Sequence, residues 1–461
     1  MKITVLNGSP KGNVSVTMQY VYLLQKKFPQ HDLKILNIAQ RIRRIENDNQ
    51  AFREIVDEVK SSDGVLWAFP LYVFLVHSGY KRFIELISEK KAEDCFKDKY
   101  AAILTTSIHF FDHTARNYIQ AICDDLDMKY VGAFTPDMQD FFEVNKREML
   151  KVFFGDFLKC IKEQHPVSKS FTPLQKKEFN YAPGKTKGVV CPGDKRIVVL
   201  TDCEQHDCNL TRMIERFRSS FELSVELINL NEVEIKGPCL GCLRCGFDYK
   251  CAYTGKDGFI EFFNSRLRTA DILVFAGTVK DRFLSSKWKQ FLDRSFFNTH
   301  TPGLIGKQMA FLVSGPLAQI PNLREIFQAY VEWQQSNLVD FITDESGDSA
   351  QIDTLIQSLA ERLVQFAEHN YIPPKTFLGT GGMKIFRDDI WGRLRFVFQA
   401  DYGYYKKHKI YDFPQKDLKV RLLNTFLIPL TKIPRIRREL PKKIRDQMVS
   451  RYQKMLDRDL V

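Results

Sequence analysis

Apolar residues along this chain gather in short, near-continuous runs separated by longer segments of helical spacing. In the first third the runs are Ile3 to Leu6, Leu33 to Leu36, Val65 to Phe69, Ala101 to Leu104 and Tyr130 to Phe134. A second series repeats the rhythm at Ile197 to Leu200, Val225 to Leu230, Ile272 to Ala276, Met309 to Val313 and Leu338 to Ile342. Runs that are apolar at successive positions belong to strands covered on both faces, and strands alternating with helices imply a parallel sheet. The pattern predicts two tandem, doubly wound, five-stranded α/β domains over 1–164 and 196–370, each with its ligand at the carboxyl ends of the strands. Between them, 165–195 carries prolines and lysines with little periodicity and reads as a linker. After Pro373-Pro374 the composition shifts, so 371–461 reads as a C-terminal extension whose helical spacing is broken by Pro429, Pro434 and Pro441.

A chain of 461 residues exceeds what one core usually holds, which agrees with two domains plus an extension. No run approaches the roughly 20 apolar residues of a spanning helix, so no transmembrane segment is expected. Met1 to Gly8 enters a strand and a glycine turn without the apolar stretch of a secretory leader, which predicts a cytoplasmic protein. The net charge of +12 is localised: 371–461 holds 21 Lys and Arg against 9 Asp and Glu, leaving the first 370 residues neutral. A basic tail on a neutral body suits an acidic partner, whether a protein, an anionic membrane surface or a nucleic acid, or else serves as a solubilising face.

The first strand ends in Asn7-Gly8-Ser9-Pro10-Lys11-Gly12-Asn13-Val14-Ser15-Val16-Thr17, followed by an amphipathic segment from about Met18 to Lys27. A strand, a small-residue loop and a helix start together aim backbone N–H groups and the positive helix end at one point, an arrangement that holds phosphate. Ser9, Asn13, Ser15 and Thr17 add donors and Lys11 adds a cation. The loop is neither Gly-x-Gly-x-x-Gly nor a nucleoside-triphosphate loop, so a monophosphate such as that of FMN fits better.

This loop resembles the Gly-Ser-Pro-Arg…Ser-Asn-Thr loop of the NAD(P)H-dependent FMN reductases, a group with the flavodoxin-like fold. A second match follows the third strand, where Phe69-Pro70-Leu71-Tyr72-Val73-Phe74 and Ser78-Gly79-Tyr80-Lys81-Arg82-Phe83-Ile84-Glu85 are similar to that group's Pro-Leu-Tyr-Trp…Leu-Lys-x-Phe-Ile-Asp segment. The resemblance implies two flavodoxin-like domains, FMN bound by the first, NAD(P)H as donor and a homo-oligomer. It also implies that Pro70, Leu71, Tyr72, Val73 and Phe74 border the isoalloxazine ring, and that Thr106 and Ser107 after the fourth strand meet its polar edge. Taken singly, Tyr72 and Phe74 read as core packing, and His77 and His109 as structural.

Ten cysteines in a reducing compartment do not make a disulfide framework. Four of them, Cys239, Cys242, Cys245 and Cys251, fall within 13 residues as C-x₂-C-x₂-C-x₅-C. Three thiolates at intervals of three with a fourth after a short excursion can enclose a [4Fe–4S] cluster, whereas structural zinc prefers two separated knuckles. Zinc and metal-free thiols are the other readings of the same spacing. The stretch Gly237 to Phe259 resembles the cluster loop of iron–sulfur flavoproteins, and Ser286 to Ser295 their Leu-Lys-x-Phe-x-Asp-Arg helix. The second domain departs from the pattern at Thr201 to Thr211, which has no glycine and carries Asp202, Glu204 and Asp207, and at Gly277 to Arg282. A second FMN is not expected there. Cys95, Cys123, Cys160, Cys191, Cys203 and Cys208 lack ligand spacing. Gly379-Thr380-Gly381-Gly382 has no preceding strand and reads as a flexible turn.

Together these features predict an FMN-dependent oxidoreductase that moves electrons between NAD(P)H or a redox-protein partner, FMN and a [4Fe–4S] cluster. Two alternatives stand beside it: a flavin or quinone reductase without a cluster, and a non-catalytic interaction protein with degenerate domains.

Overall fold

The computed structural model describes residues 1–186, 188–204 and 208–459. The first sheet holds β1 (Lys2–Asn7), β2 (Asp32–Asn37), β3 (Gly64–Pro70), β4 (Tyr100–Thr106) and β5 (Lys129–Phe134), all parallel, in the order β2-β1-β3-β4-β5. Its helices are α1 (Val16–Lys27), α2 (Ile42–Asn47), α3 (Asn49–Ser61), α4 (Ser78–Glu89), α5 (Asp112–Asp125) and α6 (Val144–Glu163). The second sheet holds β6 (Ile197–Thr201), β7 (Glu226–Asn229), β8 (Ile272–Thr278), β9 (Gln308–Ser314) and β10 (Asn337–Thr343), in the order β10-β9-β8-β6-β7. Read from its second strand, that is the order of the first sheet again. Around it lie α7 (Asn209–Arg218), the short α8 (Cys245–Asp248) and α9 (Phe259–Phe262), then α10 (Ser286–Ser295), α11 (Pro321–Trp333) and α12 (Ser349–Glu368). The C-terminal region is helical: α13 (Phe377–Trp391), α14 (Gln399–Lys407), α15 (Leu418–Leu430) and α16 (Pro434–Asp459).

The apolar runs explain the sheets. Ile3 and Val5 bury one face of β1 with Met18, Val21 and Leu24 of α1 and Phe154 and Phe157 of α6. Ile197 and Val199 do the same in β6 against Met213 and Phe217 of α7 and Ile356 and Leu363 of α12. Helices cover both faces of each sheet, which gives the flavodoxin-like arrangement, and that cover is why the central strands β1, β3, β4, β6, β8 and β9 are almost continuously buried. Both sheets lie in one compact unit, Met1–Tyr402, and Gly403–Val461 forms a second.

The two domains join through corresponding helices, α4 and α10. Ser78 N–H, in the first turn of α4, donates to Asp293 Oδ2 of α10 at 2.7 Å, and Ser286 N–H, in the first turn of α10, donates to Glu85 Oε1 of α4 at 2.6 Å. Each helix start, whose N–H groups have no partner inside the helix, is thus satisfied by the other domain's carboxylate. Each carboxylate also pairs with a lysine one turn earlier on its own helix: Lys81 Nζ to Glu85 at 2.7 Å, and Lys289 Nζ to Asp293. Both lysines are fully buried. Lys81 reaches Asp281 of the second domain at 2.9 Å, and Arg282 grips Asp125. The joint therefore has an approximate two-fold character within a single chain.

The segment between the domains lacks regular structure yet is tied to both. Asp124 accepts the Ser170 and Phe171 N–H groups, and the buried Tyr181 donates its hydroxyl to Asp353. The glycine stretch near 380 is not a turn but lies in α13. Gly379 and Gly382, three positions apart, let this helix press on Glu332 of α11 and on Phe110, because a Cβ at Gly382 would fall 2.6 Å from the Phe110 ring. Phe110 is itself enclosed by Phe74, Phe111, Trp333 and Phe386. Gly382→Ala should lower stability in urea denaturation by about 1–2 kcal/mol, although Ala is otherwise the better helix former.

Candidate functional site

In this order strands are added on one side of β1 and then on the other, so the loops after β1, β3 and β4 open on one crevice at the carboxyl edge of the first sheet. The β1 loop is narrow by construction. A Cβ on Gly8 would lie 2.8 Å from both Phe69 and the Tyr80 ring, and Gly12 has φ +58°. Ser9 N–H donates to Asn7 Oδ1, and the Lys11 N–H donates to Ser9 Oγ at 3.2 Å, so the buried Ser9 shapes the loop. Ser15 is the N-cap of α1 and accepts from the Met18 N–H at 3.3 Å. Thr17 is buried, with its hydroxyl 2.7 Å from that of Thr106 on β4. The twelve flavin-site residues named from sequence therefore divide. Lys11 and Asn13 are exposed, and Ser15 is half-buried at the positive end of α1. Ser9 braces its own loop, and Thr17 and Thr106 tie the start of α1 to the end of β4.

After β3, Leu71 N–H donates to Thr106 O at 3.1 Å, and Tyr72 and Leu75 exchange backbone hydrogen bonds across a tight turn. Val73 and Phe74 occupy that turn at φ +28° and +65°. Left-handed backbone at a β-branched residue is costly, and such strain collects at ligand-binding turns. Phe74 itself points into the aromatic core, and Pro70, Leu71, Tyr72 and Val73 are half-buried. After β4, Ser107 Oγ accepts the His109 N–H, and His109 Nδ1 lies 2.9 Å from Asp112, which raises the imidazole above its ordinary value.

The cysteine loop of the second domain lies against these loops of the first. A Cβ on Gly241, at φ +61°, would fall 2.0 Å from the Tyr72 hydroxyl oxygen and 3.1 Å from Lys11 Cε. His77, buried at the start of α4 and held below its ordinary value by that burial, places Nε2 2.9 Å from Cys239 O. Arg294 fixes the ends of the loop, donating to Gly237 O at 3.0 Å and pairing with Asp257 through its two terminal guanidinium nitrogens. It also stacks on Tyr253, 4.2 Å from the ring centroid. Gly241, Asp257 and Arg294 are visible in the sequence only as members of the loop and helix patterns, and His77 only as a structural histidine, because each works through a partner far away in sequence.

The four thiols differ in environment: Cys242 is exposed, Cys239 and Cys251 are half-buried, and Cys245 is buried. Burial, with the neighbouring thiols adding to it, pushes Cys239 up to about 12. Cys239, Cys242, Cys245 and Cys251 thus lie within electrostatic reach of one another. Among the described residues, no three His, Cys, Asp or Glu side chains are gathered as a ready ligand group. The all-thiol donor set suits iron or zinc, but its geometry is not closed around a common centre.

The corresponding crevice of the second domain is a cleft of about 900 Å³, lined by Asp202, Cys203, Cys208 and Lys280 and faced by Arg43 and Glu46 of the first domain. Asp202 occupies the place of a phosphate donor and accepts from Ser285 and Trp288. Asp207, another acid of the same loop, lies outside the described residues.

No curated protein matches the chain. Among solved structures, it is similar to the flavoenzyme NAD(P)H:(acceptor) oxidoreductase FerB from Paracoccus denitrificans, at 16% identity over 35% of this chain and 97% of that one, with a TM-score of 0.30. An NADH:FMN oxidoreductase, EMOB, shares 17% identity over 37% of this chain and 92% of its own, with a TM-score of 0.29. An azoreductase from Bacillus anthracis shares 10% over 35% and 99%, with a TM-score of 0.26. The segment that builds the first crevice, residues 1–136, matches the family described as NADPH-dependent FMN reductase.

Proposed function

We propose that this chain is an NAD(P)H-dependent FMN oxidoreductase whose first domain binds the flavin and whose second domain takes single electrons from it through a [4Fe–4S] cluster on Cys239, Cys242, Cys245 and Cys251. The observation that supports this reading best is the seating of Gly241 against Tyr72 and Lys11, since it brings the cysteine loop onto the flavin loops of the same chain. Lys11, Asn13 and the first turn of α1 would hold the phosphate, and the strained Tyr72–Leu75 turn would border the ring. When bound, the flavin supplies two-electron acceptance with one-electron release, and a cubane supplies one-electron carriage. The chain's own part is positional. Arg294 and His77 hold the cysteine loop, and the α4–α10 joint keeps the two domains in register.

A reductase without a cluster is favoured by the open arrangement of the four thiols. Protein purified without oxygen separates the two readings. The cluster reading expects flavin bands with a broad shoulder near ~400 nm and about four irons and four sulfides per chain. Cys242→Ser should then remove most of the iron while FMN stays bound, and electron delivery to one-electron acceptors should fall at least tenfold. Flavin bands with neither iron nor sulfide would discard the cluster, and a colourless protein would discard the flavin as well.

A further inference from the structure

The second compact unit carries an apolar surface that the redox reading leaves unused. In α15, Leu418-Lys-Val-Arg-Leu-Leu-Asn-Thr-Phe-Leu-Ile-Pro-Leu430, every residue is exposed, including Leu422 at 60%, Leu423 at 55%, Phe426 at 71% and Ile428 at 59%. At 100° per residue, Leu418, Val420, Leu422, Leu423, Phe426, Leu427 and Leu430 fall within an arc of about 200° that Lys419 interrupts, with Arg421, Asn424, Thr425 and Ile428 in the remaining sector. A helix packed on a protein core needs an apolar stripe of only about 100°, so this arc is about twice as wide as one protein face would cover. Around it stand exposed cations: Lys419, Arg421, Lys432, Arg435, Arg437 and Arg438. From Leu418 onward there are twelve Lys and Arg against four Asp and Glu.

We propose that α15 and the basic start of α16 dock this protein on the surface of an anionic phospholipid membrane, with α15 lying in the interface. Its 13 residues make about 20 Å of helix, short of the roughly 30 Å hydrocarbon thickness. No described helix is long and apolar enough to cross a membrane, so the geometry is in-plane insertion. Charge selects this occupant over the others. A nucleic acid would satisfy the cations but leave Leu422, Leu423 and Phe426 in water, and a second copy of the same tail would set like charges together. An anionic bilayer takes the apolar arc among its acyl chains and the cations at its headgroups.

Sedimentation of the full chain with vesicles tests this. Partition into phosphatidylcholine vesicles containing about 30% phosphatidylserine should exceed that into pure phosphatidylcholine at least tenfold, because each surface cation is worth roughly fivefold. It should fall as salt rises from about 0.05 to about 0.5 M. Leu423→Gln with Phe426→Gln, and separately Lys432, Arg435, Arg437 and Arg438 each→Gln, should cut partition at least tenfold, while thermal melting of the two-domain body is unchanged. These sites are exposed, so neither variant should unfold the chain. Absence of partition overturns the proposal. So does partition insensitive to both variants, or salt-sensitive binding to a duplex oligonucleotide with none to vesicles.

Discussion

Asp293→Ala should lower stability by about 3–5 kcal/mol in urea denaturation at neutral pH, because removing one member of a buried ion pair leaves the other charged and uncompensated. Lys289, fully buried one turn away, loses its carboxylate. The Ser78 N–H at the start of α4 loses its acceptor in the same change. The loss should appear in both domains at once, since Asp293 belongs to the second domain and its target helix to the first. Replacing the pair together, Lys289→Met with Asp293→Leu, should recover much of the stability, because a well-packed apolar pair carries no desolvation cost. A loss below about 1 kcal/mol for Asp293→Ala would mean that water reaches Lys289 and that the joint is not dry.

The second large effect is on flavin affinity. Asn13→Asp with Ser15→Asp should weaken FMN binding by about 2 kcal/mol or more, roughly thirtyfold in Kd, by setting two carboxylates against a phosphate at the start of α1. Fold is spared, since Asn13 is exposed and Asp replaces Ser15 as an N-cap of equal quality. Fluorescence titration of the flavin-free protein reads the change. Riboflavin, which has the ring but no phosphate, should bind the variant as well as it binds the unaltered chain. Equal losses for both ligands would show that the loop does not hold the phosphate. Ser9 is the wrong residue for this experiment: it is 1% exposed and its hydroxyl shapes the loop, so a charge there would damage the fold before it met any ligand.

Local features of the chain were read directly from its residues. The ten described strands lie where the apolar runs put them. Strands β1, β3, β4, β6, β8 and β9 are buried on both faces and have no polar face with which to disguise themselves, while the edge strands β2, β5, β7 and β10 are only partly covered and mix polar residues into their runs. The small residues from Gly8 to Thr17 announced the turn that joins β1 to α1, and four closely spaced cysteines announced a loop of shared chemistry. Relations between distant segments were decided by tertiary structure. Composition gave no sign that Ser78 would find its acceptor at Asp293, that His77 would meet Cys239, or that Gly241 would rest on Tyr72. Such contacts depend on how two rigid bodies dock, and the physical determinants are single polar atoms that leave no periodic trace. Gly379 and Gly382 mark the same limit in reverse: a glycine run means flexibility in isolation and close helix packing once Phe110 stands opposite. Thr17 reads in the sequence as a ligand donor; what folding adds is that its buried hydroxyl also meets Thr106, on a strand 89 residues away.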